Sequence, residues 1–111
     1  MDVFGDKEMI IVKSVHNIPI RLTSERWLHI VERHHEMENQ KDRILETIIN
    51  PDFIQEGDFK ELMAIKHFEN TPLTSKFLVV IYKEINEIEG FIITAYFTNM
   101  PSERRKTIWK Q

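Results

Sequence analysis

The stretch "HIVERHHEM", His29 to Met37, holds three of the chain's five histidines. Imidazole carries protons, binds metals and titrates near neutral pH. Metal binding fits the spacing poorly. His29 and His34 are five apart and His34 and His35 are adjacent, so neither pair shares a helical face as i, i+4 residues do. The metalloprotease order His-Glu-x-x-His is absent, because "HEMEN" (His35–Asn39) lacks the second histidine. Two uses of His34 remain. It is either a boundary residue, favourable as a cation near a helix C-terminus, or a group that transfers protons. His29 and His35 fall off the apolar stripe and read as solvated. His16 and His67 belong to no motif.

Proton transfer needs partners. Cleavage of an RNA strand by its own 2′-hydroxyl requires a base, an acid for the leaving oxygen, and cations for the charge on the phosphorane. Lys83, Thr94 and Tyr96 fall on one face of a strand pair, and Arg104, Arg105 and Lys106 follow directly. Plainer readings stand beside these. Threonine and tyrosine favour strands anyway, and a basic run is often a solvated tail.

The elements that must position these groups are legible in part. "MIIVK" (Met9–Lys13) and "IPIRL" (Ile18–Leu22) read as short strands, with Pro19 holding the second at a sheet edge. "TSERWLHIVERHH" reads as a helix capped by Thr23 or Ser24, with Glu25 in its first turn. Trp27, Ile30, Val31 and His34 share one face of it. A second helix spans Asp42–Ile49, with Ile44, Leu45 and Ile48 as its stripe and Asn50-Pro51 as its stop. Beyond Pro51, "DFIQEG", "ELMAIKHF", "KFLVVIYKE" and "GFIITAYFT" read as an antiparallel meander. A turn at Asn86-Glu87 would set Tyr82 opposite Phe91, Val80 opposite Ile93 and Leu78 opposite Ala95, and this face would meet the helices. The fold class expected is α+β: two N-terminal helices packed on one face of a three- to four-stranded antiparallel sheet.

Length and composition set the outer limits. At 111 residues the chain fits one domain, 1–111. Its 41% apolar and 30% charged residues suit a packed core and not global disorder. The absence of cysteine excludes disulfides and thiol chemistry, and it suits a reducing cytoplasm. "MDVFGDKEMIIVK" does not read as an export signal, and no run approaches a membrane span. A net charge of −3 argues against non-specific coating of nucleic acid but leaves room for a local basic site.

The ordered set "RLTSERWLHIVERHHEM", "ILETIINPDFI", "KFLVVIYKE", "GFIITAYFT" and "RRKTIW" resembles the phage-associated nuclease-like families of the barnase–EndoU–colicin–RelE (BECR) superfamily. The resemblance runs from about Arg21 to Trp109. It implies helices packed on an antiparallel sheet and a metal-independent ribonuclease, often the toxin of a toxin–antitoxin pair or of a phage-borne system. The family's helical histidine falls on His34, its strand-borne cation on Lys83, and its threonine and aromatic on Thr94 and Tyr96. Where the family reads Arg-His-Pro-Glu, this chain has "RHHE", with His35 in place of proline.

The expectation is therefore an intracellular endoribonuclease that needs no cofactor and no metal. Catalysis falls to His34, Lys83, Thr94 and Tyr96, and RNA phosphates fall to Arg104, Arg105 and Lys106. RNA is its partner, with a possible protein antitoxin and no membrane. The competing expectation is a non-catalytic binding module that uses the open sheet face. Clustering of His34 with Lys83 and Thr94 in one cleft favours the enzyme, and their dispersal over both sheet faces favours the module.

Overall fold

The computed structural model describes residues 9–111. Met1–Glu8, the start of the stretch read as carrying no export signal, lies outside the described residues. β1 (Met9–Lys13) and β2 (Pro19–Thr23) form a hairpin whose turn places Asn17 at φ 64°. Asparagine tolerates that left-handed backbone better than most residues. Thr23 caps α1 (Ser24–Arg33), its hydroxyl accepting from the Arg26 N–H at 3.1 Å. A 3-10 turn, His35–Met37, leads to α2 (Lys41–Ile49), which stops at Asn50 before Pro51. Then come β3 (Phe53–Glu56), β4 (Leu62–His67), β5 (Phe77–Asn86), β6 (Glu89–Thr98) and β7 (Thr107–Lys110).

Among the described residues these strands form one seven-stranded sheet in the order β1-β2-β6-β5-β4-β3-β7. This corrects the expected fold. The sheet is not a three- to four-stranded antiparallel one behind two N-terminal helices. Two strands precede the helices and join the same sheet, and β2 runs parallel to β6. That junction rests on Ile20 beside Gly90 and Arg21 beside Phe91. So short a parallel ladder between distant segments has no local sequence signature. Gly90 permits it, because a Cβ there would stand 2.6 Å from the Lys83 carbonyl oxygen and 2.5 Å from Ile20 Cδ1. β2 is therefore an inner strand, not an edge. Pro19 sits at its first residue opposite Lys13, before the parallel ladder begins, and removes no hydrogen bond to β6.

Both helices cover one sheet face. Ile30, Met37, Ile44 and Ile48 are almost fully buried against Leu22, Leu78, Val80, Tyr82 and Ile92. Each such side chain contributes roughly 1.5–3 kcal/mol on leaving water. Helices this short are marginal alone, so this face holds them. Trp27 and Leu45 are only partly buried there, and Val31 is likewise only partly buried.

The β5–β6 hairpin turns at Glu87-Ile88, with Asn86 opposite Glu89. The expected turn at Asn86-Glu87 was therefore misplaced. Leu78, Val80 and Tyr82 do face the helices, but their partners are Phe97, Ala95 and Ile92. Ile81 pairs with Thr94 while Tyr82 pairs with Ile92, so Ile93 is an inserted bulge residue. A bulge reverses the in–out alternation. Ile92 takes the core position expected of Phe91 and Ile93, and Phe91 turns to the opposite face beside Arg21. On that opposite face Met63, Ile65 and Val79 form a second apolar cluster, with Phe53, Phe77, Ile81 and Tyr96 packed around it.

Candidate functional site

The short reach of β2 decides where His34 goes. Beyond Phe91 nothing of β2 pairs with β6, and α1 starts directly after β2. The helix and the following 3-10 turn pack against this unpaired flank of β6. Helical backbone ends at Arg33, and His34 caps it at φ −134°, ψ 83°, with its N–H still donating to the Ile30 carbonyl. The cap therefore lies at the side of the sheet, not above its centre. From there the imidazole stacks on Tyr96, with ring centroids 5.9 Å apart and planes inclined by 29°. A helix residue and an open-face residue thus meet round the flank of β6. Glu36 adds an acidic neighbour, with its Oε2 3.7 Å from His34 Nδ1.

Tyr96 is bracketed from its other surroundings by Arg105. Burial among apolar neighbours raises the tyrosine's pKa, and attraction to the Arg105 guanidinium pulls the other way. The net shift is upward, so near neutral pH the hydroxyl keeps its proton and can donate it in a hydrogen bond. Arg105 is itself held. Its Nη1 donates to Asp58 Oδ1 at 2.8 Å across from the β3–β4 turn, with Nη2 3.5 Å from Oδ2. The pair holds Asp58 below the usual carboxylate range and lifts Arg105 further.

Between Tyr96 and the β6–β7 loop lies a cavity of about 320 Å³. Met63, Ile65 and Val79 form its apolar floor, and Ser102 and Arg105 stand on its loop side. Gln55 also lines it. This residue is 4% exposed, its Nε2 donates to the Ser102 carbonyl at 2.7 Å, and its Oε1 has no partner among the described residues. A wider surface groove continues past Ser102 and Arg105 to Arg104 and Asp58.

The structure brings His34, Tyr96 and Arg105 to one neighbourhood. Thr94 lies two residues back on the same face of β6, about 7 Å away at ~3.4 Å per residue. Lys83 is more distant. It pairs with Phe91, whereas Tyr96 pairs with Val79, a separation of about 13 Å along β5 at ~3.3 Å per residue. At that end Arg21 lies over the Phe91 ring, 5.5 Å from its centroid, and forms an ion pair with Glu89. Arg104 and Lys106 are exposed.

The remaining histidines are occupied or solvent-facing. His29 and His35 are exposed. His67 meets Phe77 edge-on at 5.2 Å. His16 Nδ1 lies 2.9 Å from Glu84 Oε1, and Ser14 Oγ donates to Glu84 Oε2 at 2.6 Å. Serine there bonds the carboxylate and not the imidazole, so the trio ties the β1–β2 turn to β5 and does not activate a nucleophile. Among the described residues no three His, Asp or Glu side chains gather as metal ligands.

Three residues of the site escaped the sequence reading. Glu36 carried a signal, two positions after His34. Gln55 carried a weaker one, a lone amide inside the apolar strand "FIQE". Asp58 carried none, because its meeting with Arg105 is purely tertiary. No family model, curated protein or solved structure matches the chain.

Proposed function

We propose that the protein is a metal-independent endoribonuclease acting on single-stranded RNA. The observation that supports this best is the stack of His34 on Tyr96, where Tyr96 lines a cavity on the open sheet face together with Arg105. His34 takes the proton of a 2′-hydroxyl, the freed oxygen attacks the neighbouring phosphorus, and the P–O5′ bond breaks as solvent water protonates the departing 5′-oxygen. The products are a 2′,3′-cyclic phosphate and a free 5′-hydroxyl. Arg105 and the Tyr96 hydroxyl donate to the non-bridging oxygens as negative charge builds on them. Glu36 stands 3.7 Å from Nδ1 of the ring that takes the proton. Arg104 and Lys106 meet flanking phosphates. A cytoplasmic toxin restrained by a protein antitoxin fits this chemistry, and a small reading frame adjacent to the gene would support it.

The distance of Lys83 from Tyr96 favours a second reading, a binding module whose open face holds a ligand without cleaving it. Incubating the full chain with a labelled single-stranded RNA in excess chelator separates the two. Cleavage that persists in chelator supports the enzyme. Cleavage lost with chelator and restored by a divalent ion overturns the mechanism, and binding without cleavage supports the module.

A further inference from the structure

We infer that the cavity beside Tyr96 is a nucleobase pocket, so that the RNA is held by one base swung out of its stack and seated next to Gln55. This rests on the ribonuclease reading for its biological substrate, but the pocket stands on its own chemistry. Its volume, about 320 Å³, lies at the small end of ligand sites, which run from roughly 300 to 1,000 Å³. It suits a single nucleotide unit. The floor is apolar and one wall is an aromatic ring, as a planar base requires.

Gln55 supplies the second, independent observation. A buried amide normally satisfies both of its ends. Here one end is fixed by the Ser102 carbonyl, which sets the orientation of the side chain, while Oε1 has no partner among the described residues. An unpaired buried acceptor costs roughly 1–3 kcal/mol. Oε1 is itself covered, so a base must displace part of that cover to reach it; its N–H donor then removes that cost, and every nucleobase has one on its Watson–Crick edge or exocyclic amine. Arg105, held by Asp58 at the loop side, is placed for the attached phosphate. Base, amide and guanidinium therefore define a nucleoside monophosphate unit, in contrast to a bare anion or an apolar peptide.

The test is binding, kept separate from cleavage. The full chain, labelled with ¹⁵N, is titrated with each of the four nucleoside 3′-monophosphates and, in parallel, with inorganic phosphate. The nucleotides are expected to shift the Gln55, Val79, Tyr96 and Ser102 amides, and phosphate is expected to disturb only the Arg105 end. Gln55→Met should weaken nucleotide binding roughly fivefold to tenfold, the worth of one hydrogen bond, and leave phosphate binding unchanged. Thr98→Trp, at a half-buried position lining the cavity, places an indole in it and should abolish nucleotide binding with the fold intact. Equal shifts with phosphate alone, shifts confined to another surface, or unchanged nucleotide affinity in a folded Thr98→Trp variant would each overturn the pocket. Cleavage of RNA by Thr98→Trp at the wild-type rate overturns the pocket but leaves the ribonuclease standing. Nucleotide binding without RNA cleavage supports the pocket and removes the ribonuclease.

Discussion

Removing one oxygen atom from Tyr82 should stabilise the protein. Tyr82 is 0% exposed on the helix-covered face, and its hydroxyl has no hydrogen-bond partner among the described residues. Leaving such a group unpaired costs about 1–3 kcal/mol. Against this, Tyr82→Phe leaves a void of roughly 10–15 Å³, which at ~24 cal/mol per Å³ returns only about 0.3 kcal/mol. The net expectation is a gain of about 1–2 kcal/mol. For a domain of this size each kcal/mol moves the melting temperature by about 4–8 °C. Burial, assisted by the Glu84 carboxylate, also raises the Tyr82 pKa. A raised folded pKa means that the protonated hydroxyl is the form the fold accepts. Stability is complete below the unfolded tyrosine value of about 10 and falls as pH rises above it. The advantage of Tyr82→Phe should therefore widen above about pH 10. Thermal and urea melts near neutral pH and in the alkaline range measure both effects. A loss of stability on removing the oxygen would refute the reasoning, because it would mean that the hydroxyl is satisfied, for instance by an internal water. RNA cleavage should not change, since Tyr82 lies on the face away from the cavity.

Tyr96→Phe, on the open face, should behave in the opposite way. It keeps the stack with His34 but loses a hydrogen bond to a charged oxygen, worth roughly 1.5–3 kcal/mol, and so slows cleavage about 10- to 100-fold with little change in melting; an unchanged rate would remove the hydroxyl from the mechanism. Arg105 holds the Asp58 carboxyl below its usual range, so the ion pair stabilises the fold above that range and is lost as pH falls through the lowered value. Melting temperatures of wild type and Asp58→Asn should differ near neutral pH and converge in acid, and a difference that grew on acidification would contradict the pairing. Ile30→Ala, at 1% exposure, should cost about 2–5 kcal/mol. Half-buried Trp27 should fall below the ~3–5 kcal/mol of a fully buried tryptophan; a Trp27→Ala cost above that of Ile30→Ala would mean that the docked face of α1 is misassigned.

Local chemistry made the helices legible and long-range pairing hid the sheet. The Thr23 cap, the Ile30 stripe and the Asn50-Pro51 stop are each written within a few residues. The Ile20–Gly90 and Arg21–Phe91 junction is not, and it alone turns an N-terminal hairpin into part of the main sheet. The Ile93 bulge is equally silent, because an inserted residue in an all-apolar run leaves the composition unchanged. At the site, residue type singled out His34, Tyr96 and Arg105. Their meeting depended on β2 being too short to cover the flank of β6, which no spacing rule encodes. Gln55 was visible as a letter but not as an unpaired acceptor, since that is a property of its neighbours.

The central claim is that His34 transfers a proton during RNA cleavage. Its most direct test compares full-length wild type, His34→Ala and His35→Ala on one labelled single-stranded RNA in excess chelator, with thermal melts of all three. Wild type should yield fragments ending in a 2′,3′-cyclic phosphate. His34→Ala should be slower by roughly 10²–10⁴-fold at an unchanged melting temperature, and His35→Ala should match wild type. An inert wild type, or a folded His34→Ala variant that cleaves at the wild-type rate, would contradict the claim; loss of activity in His35→Ala alone would move the chemistry to the neighbouring histidine.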